Sequence, residues 1–159
     1  MTTITGKLME IGFEVSKPLV PIANYVQTKV LNGSILISGQ LPIQNGDVVY
    51  QGMVGKDLTT EEAKKATELC MLNVINQLII ALDDDITKIK SCIKLEIFVN
   101  SQSGFEKHSE IANGASDLIV KLLGERGKHA RMTIGVSSLP LNSAVEVAAI
   151  FEISKELEK

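Results

Sequence analysis

Between residues 91 and 100 the run SCIKLEIFVN alternates with period two. Ile93, Leu95, Ile97 and Val99 fall on one side, Cys92, Lys94, Glu96 and Phe98 on the other. That period predicts a strand with one buried face. A second alternating run, AVEVAAIFEI, sets Val145, Val147, Ala149, Phe151 and Ile153 against a side where Ala144, Ala148 and Ile150 stand among carboxylates. A third, ARMTIGVSS, places Arg131, Thr133, Gly135 and Ser137 together and turns Met132, Ile134 and Val136 the other way, toward the expected core. YVQTKVL and SILISGQLP flank Asn32-Gly33, a dipeptide suited to a two-residue type I′ turn because both positions need φ > 0, so a hairpin is predicted. Asn45-Gly46-Asp47 marks another turn, leading into VVYQGMVGKD, which reads as an irregular strand and loop.

The helical period appears after Thr59-Thr60-Glu61-Glu62, a capping box, with Ala63, Ala66, Cys70, Val74 and Ala81 recurring on one side as far as about Leu82. Ser103-Gly104-Phe105-Glu106 reads as a second box. It is followed by Ile111, Ala115, Leu118 and Leu122, and Gly124 supplies the stop. A short helix over about residues 2–14 is carried by Ile4, Leu8, Ile11 and Phe13, with KPLVP as a connector after it. The tail SKELEK is charged and expected to fray.

Taken in order, these elements predict an α+β domain in which two helices cover one face of a mixed sheet. The last strand carries apolar residues on both faces. The face without helices is therefore expected to be buried against other copies of the chain in a closed cyclic assembly.

At 159 residues the chain suits one domain with a core of its own. The net charge of −3, with cations scattered, argues against a dedicated nucleic-acid binder, which needs a basic footprint. The two cysteines, Cys70 and Cys92, have no CxxC spacing and suggest a reducing compartment. MTTITGKLMEIGFEV lacks the basic start and apolar run of a signal peptide, and no stretch approaches a membrane span, so a cytoplasmic protein is expected. No metal motif, P-loop, dinucleotide fingerprint or Ser-His-Asp pattern occurs. His108 and His129 read as surface or capping residues.

Arg131 is the residue that carries chemistry. It heads a face of small polar residues, and a guanidinium offers a planar fork that binds a carboxylate with two hydrogen bonds. An ion pair with a glutamate, within the chain or across subunits, accounts for it equally well. Glu146 stands between Val145 and Val147 beside Ala144 and Ala148. On its own it reads as a rim charge; a carboxyl buried there is paired or has a raised pKa, and a raised pKa suits a proton shuttle. Tyr25, Ser38 and Asn113 are polar where the fold does not demand it, with Tyr25 opening a strand and Asn113 lying off its helix's apolar seam, and taken singly each reads as an ordinary surface residue.

The set Tyr25-Val26-Gln27, Ile37-Ser38-Gly39-Gln40-Leu41-Pro42, Phe98-Val99, Asn113, Ala130-Arg131, Leu139-Pro140 and Val145-Glu146-Val147 resembles the Rid family, the YjgF-like reactive intermediate deaminases also labelled endoribonuclease L-PSP. The similarity runs from about Asn24 to Ile153. It implies a chorismate-mutase-like α+β fold and a homotrimer with sites in the clefts between subunits. It also implies hydrolysis of enamines and imines such as 2-aminoacrylate to 2-keto acids and ammonia, without metal or organic cofactor. By the same resemblance Arg131 holds the substrate carboxylate and Glu146 positions the attacking water. Tyr25, Ser38 and Asn113 line the pocket, and Gly39 and Thr133 present backbone groups to the ligand. Thr133 stands where many of these deaminases carry cysteine, and Asn24 where they carry proline, a pattern resembling a longer bacterial subgroup. Two other functions stand beside the deaminase: a trimer that binds a small carboxylate without turning it over, and the ribonuclease of the family's second label, which the acidic charge disfavours.

Overall fold

The structure, a computed structural model, describes residues 3–15 and 24–154. The KPLVP connector, residues 1–2 (with the first residue of the predicted N-terminal helix) and the tail from 155 onward lie outside the described residues.

Helix α1 (Ile4–Glu10) is shorter than predicted; Thr3 caps it by accepting from the Gly6 N–H, and Ile4 and Leu8 are buried. Strands β1 (Thr28–Leu31) and β2 (Ser34–Gln40) form the predicted hairpin, with Asn32 and Gly33 both at positive φ (49° and 70°). The second Asn-Gly, 45–46, joins a small separate hairpin, β3 (Ile43–Gln44) to β4 (Asp47–Val48). Helix α2 (Thr60–Ala81) opens on Thr59, and both hydrogen bonds of the predicted capping box form. Strand β5 (Ile89–Asn100), helix α3 (His108–Leu123), strand β6 (Ala130–Val136) and strand β7 (Val145–Ile153) complete the chain. The main sheet runs β1-β2-β7-β5-β6, antiparallel except where β6 lies parallel to β5 at the edge. Among the described residues no helix is long and apolar enough to cross a membrane.

Helices α2 and α3 lie on one face and enclose the core with Ile35, Ile37, Leu95, Ile97, Val99, Val145, Val147, Ala149 and Phe151. The helices touch closely: a Cβ on Gly114 would overlap the Lys64 carbonyl, and Thr67 Oγ donates to Ile111 O at 2.6 Å. Along the open face three registered rows run across the strands: Leu36–Ile150–Lys94, Ala148–Glu96–Met132 and Glu146–Phe98–Ile134. Leu36, Ile93, Met132 and Ile134 are 40–42% exposed there, and Lys94 pairs with Glu96 at 2.6 Å.

Four local expectations are corrected. The period of β5 breaks at a register shift between Cys92 and Lys94, so Cys92 points inward and Ile93 outward, opposite to the simple alternation. A bulge adds one residue and flips every side chain on one side of it. The Ser103–Glu106 segment is a turn rather than a capping box. Gly104 sits at φ 79°, the helix starts at His108, and its N-cap, Lys107, offers no side-chain hydrogen bond. Tyr25 precedes β1 by three residues instead of opening it. The fourth correction concerns Arg131 and decides the site.

Candidate functional site

Strand β6 is an edge strand, and its two faces are assigned the opposite way round from the periodicity argument. Arg131, Thr133 and Gly135 register with Leu95, Ile97 and Val99, the residues of β5 that face the helices. Met132 and Ile134 register with Glu96 and Phe98 and lie on the open face. The side chains of the Arg131 row are small because α3 packs across them: a Cβ at Gly135 would overlap the His108 ring and the Ser101 hydroxyl. An alternating pattern reports two faces, but not which of them a helix will cover.

Arg131 reaches α3 and donates from Nη1 to Asn113 Oδ1 at 2.8 Å and to Ser116 Oγ at 3.1 Å. Both hydrogens of Nη1 are used. The Nε–H and Nη2–H edge, the one that fits a carboxylate side-on, makes no hydrogen bond or ion pair among the described residues. Two residues along, Thr133 Oγ1 is shut off from solvent and has no hydrogen-bond partner. A hydroxyl left in that state costs about 1–3 kcal/mol.

Glu146 belongs to a different cluster. It lies on the open face of β7, level with Phe98 and Ile134, half-buried, and burial pushes its carboxyl above the ordinary value of 4.5. Its neighbour is the Ser38-Gly39 turn of β2. Ile37 pairs with Ala149 and Gln40 with Val147, so Ser38 and Gly39 together face Ala148 in a bulge. That extra residue brings the Gly39 backbone against the Glu146 carboxyl, where a Cβ would overlap it. Ser38 Oγ donates to Val26 O at 2.7 Å and its N–H to Gln27 O at 2.9 Å, which ties the segment carrying the half-exposed Tyr25 beside the bulge. Gly39→Ala is expected to lower kcat/KM for any Glu146-dependent reaction about tenfold. Tm should change little, because Gly39 is not at positive φ and the group that must yield is the end of a flexible side chain. Kinetics and a melting curve on one preparation check both halves.

The seven sequence-derived residues therefore form two groups: Arg131, Asn113 and Thr133 between β6 and α3, and Tyr25, Ser38, Gly39 and Glu146 on the open face at β2 and β7. Two strand spacings and three residues of rise separate Arg131 from Glu146, about 14 Å between Cα atoms, and the side chains leave the sheet on opposite faces. One protomer does not bring them to a common ligand. A cavity of about 550 Å³ beyond Gly135, lined by Met53, Phe105, His108 and Val136, contains neither the arginine nor the glutamate.

Residues 5–153 match the family described as "YjgF/chorismate mutase-like, putative endoribonuclease". The chain belongs to the YjgF family. The YjgF-like fold is shared at high similarity with the protein Atu1372 of unknown function from Agrobacterium tumefaciens, 42% identical, covering 96% of this chain and 94% of that one with a TM-score of 0.88. It is shared also with a "putative endoribonuclease" from Shewanella oneidensis, 32% identical, covering 96% and 100% with a TM-score of 0.90. Protein TCP17 of Trypanosoma cruzi is 38% identical over 95% of this chain and 94% of its own length. Membership of the YjgF family supports a deaminase-like or small-molecule-binding role.

Two members of the arginine cluster were not identified from sequence. Ser116 follows Asn113 at i+3, so both face β6, and that spacing could have flagged it. His129 Nε2 lies 2.9 Å from Ser116 Oγ and its Nδ1 2.6 Å from Gly127 O. It stands two residues before Arg131 and so shares its face of the chain.

Proposed function

We propose that the protein hydrolyses short-lived enamines and imines of the 2-aminoacrylate type to 2-keto acids and ammonia, in clefts formed between two copies of the chain. The single observation that carries this reading is the unengaged Nε/Nη2 edge of Arg131, held in place by Asn113 and Ser116. A fixed, exposed guanidinium edge suits a small carboxylate. The net charge of −3 favours such a ligand over the phosphodiester backbone of an RNA.

In this reading the open sheet face of one copy, with its exposed Leu36, Ile93, Met132 and Ile134, packs on its neighbours in a homotrimer. The Tyr25–Ser38–Gly39–Glu146 cluster of one copy then meets the Arg131–Thr133 edge of the next. Arg131 holds the carboxylate of the imine. An enamine first takes a proton from solvent at its terminal carbon and becomes the iminium. Ionised Glu146 takes a proton from water as the water oxygen bonds to the C=N carbon and the π pair moves to nitrogen. Glu146 then gives that proton to the carbinolamine nitrogen, and the C–N bond breaks as the hydroxyl loses its proton to solvent and becomes the keto oxygen, releasing ammonia and leaving the keto acid. The substrate is already reactive, so orientation and modest acid-base assistance suffice.

Two variants test the shared site. Arg131→Ala and Glu146→Gln proteins, each inactive, are unfolded together and refolded as a 1:1 mixture. Random trimers place an intact arginine beside an intact glutamate at about a quarter of the interfaces, so about a quarter of wild-type activity is expected to return. A mixture that stays inactive contradicts the shared site. Failure of the wild-type protein to accelerate keto-acid release from any of several amino-acid-derived imines contradicts the chemistry. Keto-acid binding that depends on Arg131 but not Glu146, with no turnover, would instead mark a carboxylate-binding protein.

A further inference from the structure

We propose that His129, acting through Ser116, is a positioning residue for Arg131, and that the three form a hydrogen-bond relay with one fixed direction. The functional half of this proposal rests on Arg131 as the carboxylate clamp; the relay itself does not.

The direction follows from which groups can donate. The Gly127 carbonyl only accepts, so His129 Nδ1, 2.6 Å away, carries the ring hydrogen. In the neutral ring Nε2 is then a bare acceptor, and the Ser116 hydroxyl at 2.9 Å donates to it. With its hydrogen committed to His129, Ser116 Oγ presents lone pairs to Arg131 Nη1 at 3.1 Å. The guanidinium has no acceptor capacity, so the Asn113 atom 2.8 Å from Nη1 is the amide oxygen. The chain of donation therefore runs from Arg131 to Ser116 to His129 to the Gly127 backbone, with each hydrogen assigned.

The far end is rigid. Gly127 is buried against α3 so closely that a Cβ would overlap Ile119 O and the Val120 backbone. The relay thus ties an exposed arginine on an edge strand to the backbone of the turn that follows α3 and packs tightly against it. An unanchored arginine loses rotamer freedom when a ligand immobilises it. Spending that freedom at folding leaves the Nε/Nη2 edge ready for the carboxylate. The arrangement calls for a residue with one donor and one acceptor across a ring at position 129, and for a hydroxyl at 116.

The test has an arm on the free protein and an arm on binding. Long-range nitrogen–proton NMR of the wild-type protein at mildly alkaline pH is expected to show His129 with its hydrogen on Nδ1; hydrogen on Nε2 overturns the relay. Ser116→Ala, which keeps helix propensity, is expected to weaken 2-oxobutyrate binding about tenfold and to raise KM for the imine with kcat nearly unchanged. Ser116→Thr, which retains the hydroxyl, restores both. Equal affinity in wild type and Ser116→Ala overturns the positioning role while leaving the proposed activity standing. If the wild-type protein binds no 2-oxobutyrate, the carboxylate reading fails, and the Arg131 guanidinium resonances decide the relay. Slowed Nη rotation in the wild type that is released in Ser116→Ala upholds it, and identical spectra overturn it.

Discussion

Arg131→Ala is expected to lower kcat/KM for hydrolysis of 2-aminoacrylate, generated in situ and followed by keto-acid release, by about 10²–10³-fold. On the proposed reading the variant removes two charge-assisted hydrogen bonds to the substrate carboxylate; in the chain itself it leaves Asn113 and Ser116 facing the vacated space. Because the arginine is exposed and makes no ion pair among the described residues, circular dichroism and Tm should stay close to wild type. Arg131→Lys separates charge from geometry. A lysine keeps the positive charge but has no planar fork, so it should recover only part of the loss. Full recovery would show that the anion is held by charge alone. Activity equal to wild type in the alanine variant would remove Arg131 from the site.

Glu146→Gln is expected to cost about 10²–10⁴-fold in kcat while making the folded chain more stable at neutral pH. The loss follows from the removal of the base that takes the water proton. The gain follows from the direction of its pKa. Burial disfavours the ionised carboxyl, so the folded state holds its proton to higher pH than the unfolded chain, whose value is near 4.5. The favourable contribution of the protonated group is complete below that unfolded value and is lost as pH rises through the raised folded value. Melting curves from mildly acidic to neutral pH should therefore show wild type losing stability relative to Glu146→Gln as pH rises, then running parallel to it. Turnover depends on the ionised form and should rise over the same window. A stability difference independent of pH would place the carboxyl in a more solvated setting than the bulge at Gly39 implies.

What could be read from sequence was what local chemistry controls. Asn32-Gly33 and Asn45-Gly46 are turns because two consecutive residues at positive φ need those side chains. Thr59 and Glu62 form a box because each satisfies the other's backbone. Ser103 and Glu106 have the same spacing and form none: the turn at Gly104 and the contact of Phe105 with the His108 ring delay the helix. The candidate residues were picked out as a set by their resemblance to a family pattern, but their division into two groups was not legible. That division depends on which face α3 covers at Arg131 and on an extra residue at Ser38-Gly39, both properties of the assembled sheet. The inward turn of Cys92 has the same origin, since one inserted residue near Ile93 reverses an alternation that is otherwise regular.

That reversal bears on self-inactivation. The imines and enamines of the proposed reaction are electrophiles, and an accessible thiolate is the protein group most prone to be consumed by them. The bulge carries Cys92 into the core, where burial pushes its thiol up to about 12, and Cys70 under β7 is raised well above its usual value by burial and by the nearby Glu146 charge. Thr133 replaces the remaining candidate with a hydroxyl. The surface that would meet substrate thus carries no thiol, and on the proposed reading the chain would survive many encounters with the compounds it clears.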